Sequence, residues 1–135
     1  DRILSTPISE WGFTGIGVGR AKDAQRALVH GLTEQTLAYI GVDVAVRDED
    51  VAVFDDYVGP GYSLPTPAMI EAVLMLARTE SILLDPVYSG KAMSGLIDLA
   101  RKDYFPKGAN VLFLHTGGSP ALFAYLDTFR NDPKF

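Results

Sequence analysis

The stretch LLDPVYSGKAMSGLIDLA, residues 83–100, changes its hydrophobic period part-way along. Its start belongs to SILLDPV (81–87), a uniformly apolar run that reads as a strand covered on both faces of a sheet. From Ser89 onward the period is helical: Met93, Leu96, Ile97 and Ala100 follow i, i+3, i+4, i+7 spacing, and Ser89 is placed to cap that helix. Tyr88 and Ser89 therefore lie side by side where a strand ends and a helix begins.

The same alternation extends in both directions. FTGIGV (13–18) reads as a short strand, followed by a helix from Ala21 to Tyr39 with Ala24, Ala27, Leu28, Gly31 and Leu32 on one face and Gly41 at its end. Val51–Phe54 is the better strand in an acidic, alternating segment. After the Gly/Pro loop VGPGYSLP (58–65), Thr66 and Pro67 start a helix whose buried stripe is Met69, Ile70, Val73, Leu74 and Ala77. ANVLFLH (109–115) is the clearest strand, and Ser119 and Pro120 open a last helix to Phe129. Apolar strands alternating with helices predict an α/β fold, a parallel sheet with helices on both faces. Ligands in such folds sit beyond the carboxyl ends of the strands. The loops at those ends are Tyr57–Pro65, Asp85–Gly90 and His115–Ser119.

Composition narrows the classes. Of 135 residues, 47% are hydrophobic and 21% charged, ordinary for a globular chain. The net charge of −5, without a basic cluster, argues against a nucleic-acid or anionic-membrane surface. No cysteine is present, which excludes disulfides and thiolate metal sites, and no apolar run approaches the roughly 20 residues of a membrane helix. The opening DRILSTPISEW is neither a signal nor a transit peptide. It lacks Met, so the chain is expected to be processed, truncated or excised.

HTGGSP (115–120) is either an anion-binding nest or a tight turn that needs glycine dihedrals; it lacks the Lys-Ser/Thr ending of a Walker loop. GIGVG (15–19) fails dinucleotide-binding spacing and reads as structural. Tyr62 and Tyr88 are either half-buried packing residues or substrate-facing phenols. His115 has no partner carboxylate at motif spacing and reads as a core residue, His30 as a surface one. Neither a Ser-His-Asp set nor a metal-ligand spacing is present.

DDYVGPGYSLPTPAMIEAV (55–73), LLDPVYSGKAMSGLIDLARKDYFPKG (83–108) and VLFLHTGGSPALFAY (111–125) together resemble the C-terminal portion of the D-cysteine desulfhydrase and 1-aminocyclopropane-1-carboxylate deaminase family. The resemblance implies a pyridoxal 5'-phosphate enzyme of the tryptophan-synthase-β-like fold, fold type II. It spans residues 15–129, so residues 1–14 form an unmatched N-terminal segment and 15–135 the C-terminal α/β portion. It makes Tyr62 and Tyr88 the catalytic pair facing the substrate, with Tyr88 the principal acid–base, nucleophilic or substrate-holding group. A phenol suits this because it donates and accepts hydrogen bonds, and nearby cations can lower its pKa. Ser89 is implied to face the pyridine nitrogen, with Thr116, Gly117 and Gly118 along the same ring edge. The cyclopropane deaminases resemble VYEGK here, with a carboxylate on that nitrogen; the hydroxyl of VYSGK fits D-cysteine elimination to pyruvate, hydrogen sulfide and ammonia, which is the activity expected first. The family further implies a small amino-acid substrate, a homodimer, and a cytoplasmic or organellar location.

One departure is large. The family's Schiff-base lysine and main phosphate loop belong to its N-terminal part, and Lys22, Lys91, Lys102, Lys107 and Lys134 do not match that lysine's motif. Covalent catalysis needs that amine. The chain is thus expected to be inactive alone, and a non-catalytic fragment that binds a small anion or a partner chain is the reading from a different class.

Overall fold

Two short strands, β1 (Phe13–Ile16) and β2 (Val51–Phe54), pair in parallel with Phe13 opposite Val51 and Ile16 opposite Phe54. The computed structural model describes residues 13–131, so all but the end of the segment 1–14, together with Lys134, lies outside the described residues. Parallel strands need a long crossover, and α1 (Lys22–Tyr39) supplies it. Val51 and Val53 are buried while Ala52 and Phe54 are half-buried, the alternation of a sheet with one better-covered face. The GIGVG stretch is structural, as read: the Gly17 N–H continues the ladder to Phe54 O.

The helix α1 ends where Gly41 predicts, with Gly41 N–H bonded to Ala38 O and Val42 N–H to Leu37 O. Its orientation differs from expectation. The face carrying Ala24, Ala27, Leu28 and Leu32 is exposed, and the half-buried face holds Arg26, Val29, His30, Thr33 and Leu37. Polar anchors decide this: Arg26 donates to the carbonyls of Val51 and Asp48, and His30 Nε2 bonds Val46 O at 3.1 Å.

The core lies between α2 (Pro67–Thr79) and α3 (Ser89–Arg101). Thr66 caps α2 as expected, its hydroxyl accepting from Met69 N–H at 3.1 Å, with Pro67 in the first turn. Met69, Ile70 and Val73 pack with Leu84, Met93 and with Phe129 from α4 (Leu126–Arg130). On α3, Met93 and Leu99 are buried, Leu96 and Ile97 half-buried and Ala100 exposed, so the buried stripe is turned slightly from the predicted one.

Two expected strands do not form a ladder among the described residues. SILLDPV and ANVLFLH run without strand pairing, and the sheet has the order β1-β2. The first run is enclosed only in its second half, from Leu84 to Val87; Ile82, Leu83, Val111, Leu112 and Leu114 are exposed. The two runs meet through side chains, His115 and Ser119 both bonding Leu83 O, and a ladder needs backbone partners. Ser119 is thus not a cap. The chain after it winds as a 3₁₀ turn over Ser119–Tyr125 before α4.

The close seat of α3 on β1 depends on Gly95, where an added Cβ would lie 2.6 Å from Ile16 Cδ1. Gly95→Ala is expected to destabilise the fold by about 1–3 kcal/mol through overpacking. Denaturant titration of Gly95→Ala, and of its combination with Ile16→Ala, checks this: the double variant recovers part of the loss.

Candidate active site

The strand-end position of Tyr88 and Ser89 is built around a carboxylate that the sequence marks only as half of an Asp-Pro turn. Asp85 is 1% exposed. Its Oδ2 accepts the N–H groups of Val87 (2.8 Å) and Tyr88 (2.7 Å), and its Oδ1 accepts the N–H (2.7 Å) and hydroxyl (2.6 Å) of Ser89. Asp85, not Ser89, therefore satisfies the free N–H groups at the start of α3. A carboxylate is the stronger acceptor, and it sits at the positive end of the helix dipole. Burial pushes the Asp85 carboxyl up, but the hydrogen bonds from the Ser89 hydroxyl and the three N–H groups outweigh it and hold it below its usual 3.8.

The Ser89 hydroxyl is fixed by the same group. It donates to Asp85 Oδ1 and accepts from Asp85 N–H at 2.8 Å. A hydroxyl has one proton and two lone pairs, so one lone pair remains, suited to a partner that donates. The glycine turn is packed on the other side. Gly118 has φ +92°, and a Cβ there would lie 3.0 Å from Asp85 Cβ and Cγ. Only glycine combines that dihedral with that approach.

The tyrosines meet, although 26 residues separate them. Their hydroxyls are hydrogen-bonded to each other, the rings stand edge-on at 5.8 Å, and both are about half exposed. The hydrogen bond that Tyr88 makes with Tyr62, then burial, raise the Tyr88 phenol. Tyr88 is a neutral donor at pH 7. The ring of Tyr62 rests on Gly19, where a Cβ would meet its Cδ2 at 3.1 Å.

The Tyr62 loop is held at several points. Tyr125 donates to Ser63 O at 2.7 Å, and Tyr57 donates to Asp98 at 2.6 Å, with burial and then Asp98 pushing the Tyr57 phenol up to about 12. The Lys91 ammonium donates to Val58 O and Gly61 O. His115 accepts from Gly117 N–H at Nδ1, so its Nε2 carries the proton toward Leu83 O. Both nitrogens are occupied; His115 holds the turn, at the surface rather than in a core. His30 is half-buried. Thr116, Gly117 and Gly118 are exposed at the same turn.

Comparison with known proteins identifies the family. The family model described as "Pyridoxal-phosphate dependent enzyme" matches residues 14–117. The chain belongs to that family. Proteins named 1-aminocyclopropane-1-carboxylate deaminase are similar to it: that of Bradyrhizobium sp. (strain ORS 278) is 40% identical over 87% of this chain and 34% of its own length. That of Allorhizobium ampelinum is 39% identical over 97% of this chain and 44% of its own. A crystal structure described as an ACC deaminase homologue superposes with TM-score 0.71 at 36% identity, covering 87% of this chain and 34% of that one. The chain thus spans about a third of the length of the first of these relatives.

The residues present fit one edge of the family's cofactor. The spare lone pair of Ser89 suits a protonated ring nitrogen, and the space where a Gly117 Cβ would stand is open. Among the described residues, Lys91 is bound to carbonyls, Lys102 to Asp98, Lys22 lies over the Phe54 ring, and Lys107 is exposed. No helix among them is long and apolar enough to cross a membrane.

Because the folded Asp85 carboxyl is held below its unfolded value, it adds stability that is complete above that value and is lost as pH falls through the folded one. Asp85→Asn is expected to cost about 3 kcal/mol at pH 7. It should also flatten the acid limb of stability between roughly pH 5 and pH 2. Urea unfolding across that range measures both.

Proposed function

We propose that the protein carrying this chain is a pyridoxal-phosphate-dependent lyase that deaminates a small amino acid, with 1-aminocyclopropane-1-carboxylate as first substrate. The observation that carries this is the hydrogen-bonded Tyr62–Tyr88 pair at the mouth of the Asp85–Ser89 knot. The deaminases that match the chain support the substrate, ahead of the D-cysteine elimination expected first from the sequence.

In this reading Ser89, Thr116, Gly117 and Gly118 hold one edge of the cofactor ring. Pyridoxal phosphate, when bound, supplies an electron sink for charge developing on the substrate's α carbon. Tyr88 holds a proton at its phenol oxygen, and Tyr62 steadies that oxygen whether it has kept or given up the proton. The edge-on pair also presents aromatic surface that shields a small substrate from water. The enzyme acts as a homodimer, completed by a lysine and a phosphate loop from outside the described residues.

D-cysteine desulfhydration is the second reading, favoured by Ser89 itself. Its hydroxyl lends less support to a charged pyridinium than a carboxylate does, which fits elimination of a good leaving group.

The assay supplies both substrates to the complete protein with pyridoxal phosphate, following 2-oxo acid, ammonia and sulfide. Release of 2-oxo acid and ammonia from the cyclopropane substrate is expected; turnover of D-cysteine alone would transfer the assignment to the second reading, and turnover of neither would favour the non-catalytic one. Ser89→Glu is expected to raise the preference for the cyclopropane substrate. Asp85 lies against the new carboxylate, so Ser89→Glu with Asp85→Asn is the companion variant. Tyr88→Phe is expected to lower kcat roughly 100-fold, the scale of a lost acid–base group.

A further inference from the structure

Lys91 is a fully buried amine that the proposed reaction does not use. Its side chain is 0% exposed, though it begins in the first turn of α3, two residues after Ser89. Lysine is almost never enclosed without partners, because removing an ammonium from water is costly. The partners here are two main-chain oxygens of another segment: Nζ donates to Val58 O at 2.7 Å and to Gly61 O at 2.8 Å. Both belong to the Gly/Pro loop, and Gly61 immediately precedes Tyr62. That loop has no regular structure and holds Ser63 at φ +62°, so its own backbone preferences do not fix its path.

From this juxtaposition we infer that Lys91 is a positioning residue for the tyrosine pair, its ammonium fastening the loop of Tyr62 to the helix whose start carries Tyr88. The catalytic value of this positioning rests on the reading under Proposed function; the clamp itself does not. Charge-assisted bonds to carbonyls are stronger than neutral ones, and two of them converge on one nitrogen. Tyr88 is fixed to the base of α3 by Asp85, and Tyr62 to the same helix by Lys91, so the hydroxyl contact spans two anchors on one rigid element. Tyr125 bonds the loop farther along, at Ser63 O, and Tyr57 ties its start to Asp98, so Lys91 holds the stretch between them that leads directly into Tyr62.

The test is spectrophotometric titration of the phenols in the complete protein, comparing Lys91→Met, Lys91→Gln and Tyr62→Phe with the unaltered protein. Tyr62→Phe removes the partner that raises the Tyr88 phenol, so the Tyr88 transition, identified as the one that Tyr88→Phe deletes and distinct from that of Tyr57, moves down. Lys91→Met is expected to reproduce that shift while far-UV circular dichroism stays native, and Lys91→Gln, which keeps two N–H donors, to restore part of it. A folded Lys91→Met with an unaltered titration overturns the proposal. Should Lys91→Met not fold, nitrogen NMR of the unaltered protein decides: a Lys91 ammonium signal protected from solvent and coupled to the Val58 and Gly61 carbonyls supports the clamp, and an ammonium exchanging like free lysine overturns it. In the active enzyme, kcat of Lys91→Met should fall by on the order of 10-fold or more with KM little changed. A phenol shift without a fall in kcat would uphold the clamp and remove the catalytic role of the tyrosines.

Discussion

The junction of the apolar run 81–87 with α3 is organised by the carboxylate of Asp85, which collects four hydrogen bonds within a segment of five residues. Each bond does a separate structural task. Those from Val87 and Tyr88 bend the chain out of the apolar run. Those from Ser89 start α3 and hold its first side chain in one rotamer. On the far side Gly118 packs against the carboxylate, which places the glycine turn against α3. A charge so enclosed would be costly if any of its acceptor sites were idle; with them filled, the knot is rigid.

The tyrosine pair shows how a rigid base can serve a polar, half-exposed site. Tyr88 is held through its own backbone and leaves its phenol free to face outward. Tyr62 comes from a loop with no regular structure, and main-chain oxygens on either side of it are bonded by Lys91 and Tyr125. Polar groups on loops are positioned best when a scaffold element holds the loop. Here α3 does so on one side through Lys91, and the 3₁₀ turn Ser119–Tyr125 on the other through Tyr125.

Much of this was legible in the residues, for local reasons. The bounds of β2, α1 and α2 follow from alternation, from Gly41 and from the Thr66-Pro67 cap, signals that act within a few positions. The loops at the predicted strand ends did turn out to meet. What was hidden depended on competition or on distance. Ser89 and Asp85 can each cap a helix, and nothing in their spacing ranks them; the carboxylate prevails because it takes several N–H groups at once. Lys91 finds carbonyls 33 and 30 residues away, which no local pattern announces. The stripe of α1 pointed to the wrong face because Arg26 and His30 find backbone acceptors near β2. The runs 81–87 and 109–115 look alike with or without neighbours, since apolar composition cannot distinguish a paired strand from an unpaired one.

Those unpaired runs bear on how the chain behaves in solution. Leu112 is 91% and Leu114 76% exposed, and among the described residues Val111–His115 makes no backbone–backbone hydrogen bond. Idle peptide groups beside bare β-prone side chains are what an incoming strand requires. A further segment of polypeptide laid along 111–115 would complete the ladder and cover the leucines in one step. In concentrated solution the same place would be open to other copies of the chain, the edge-to-edge pairing that exposed, unpaired strands invite.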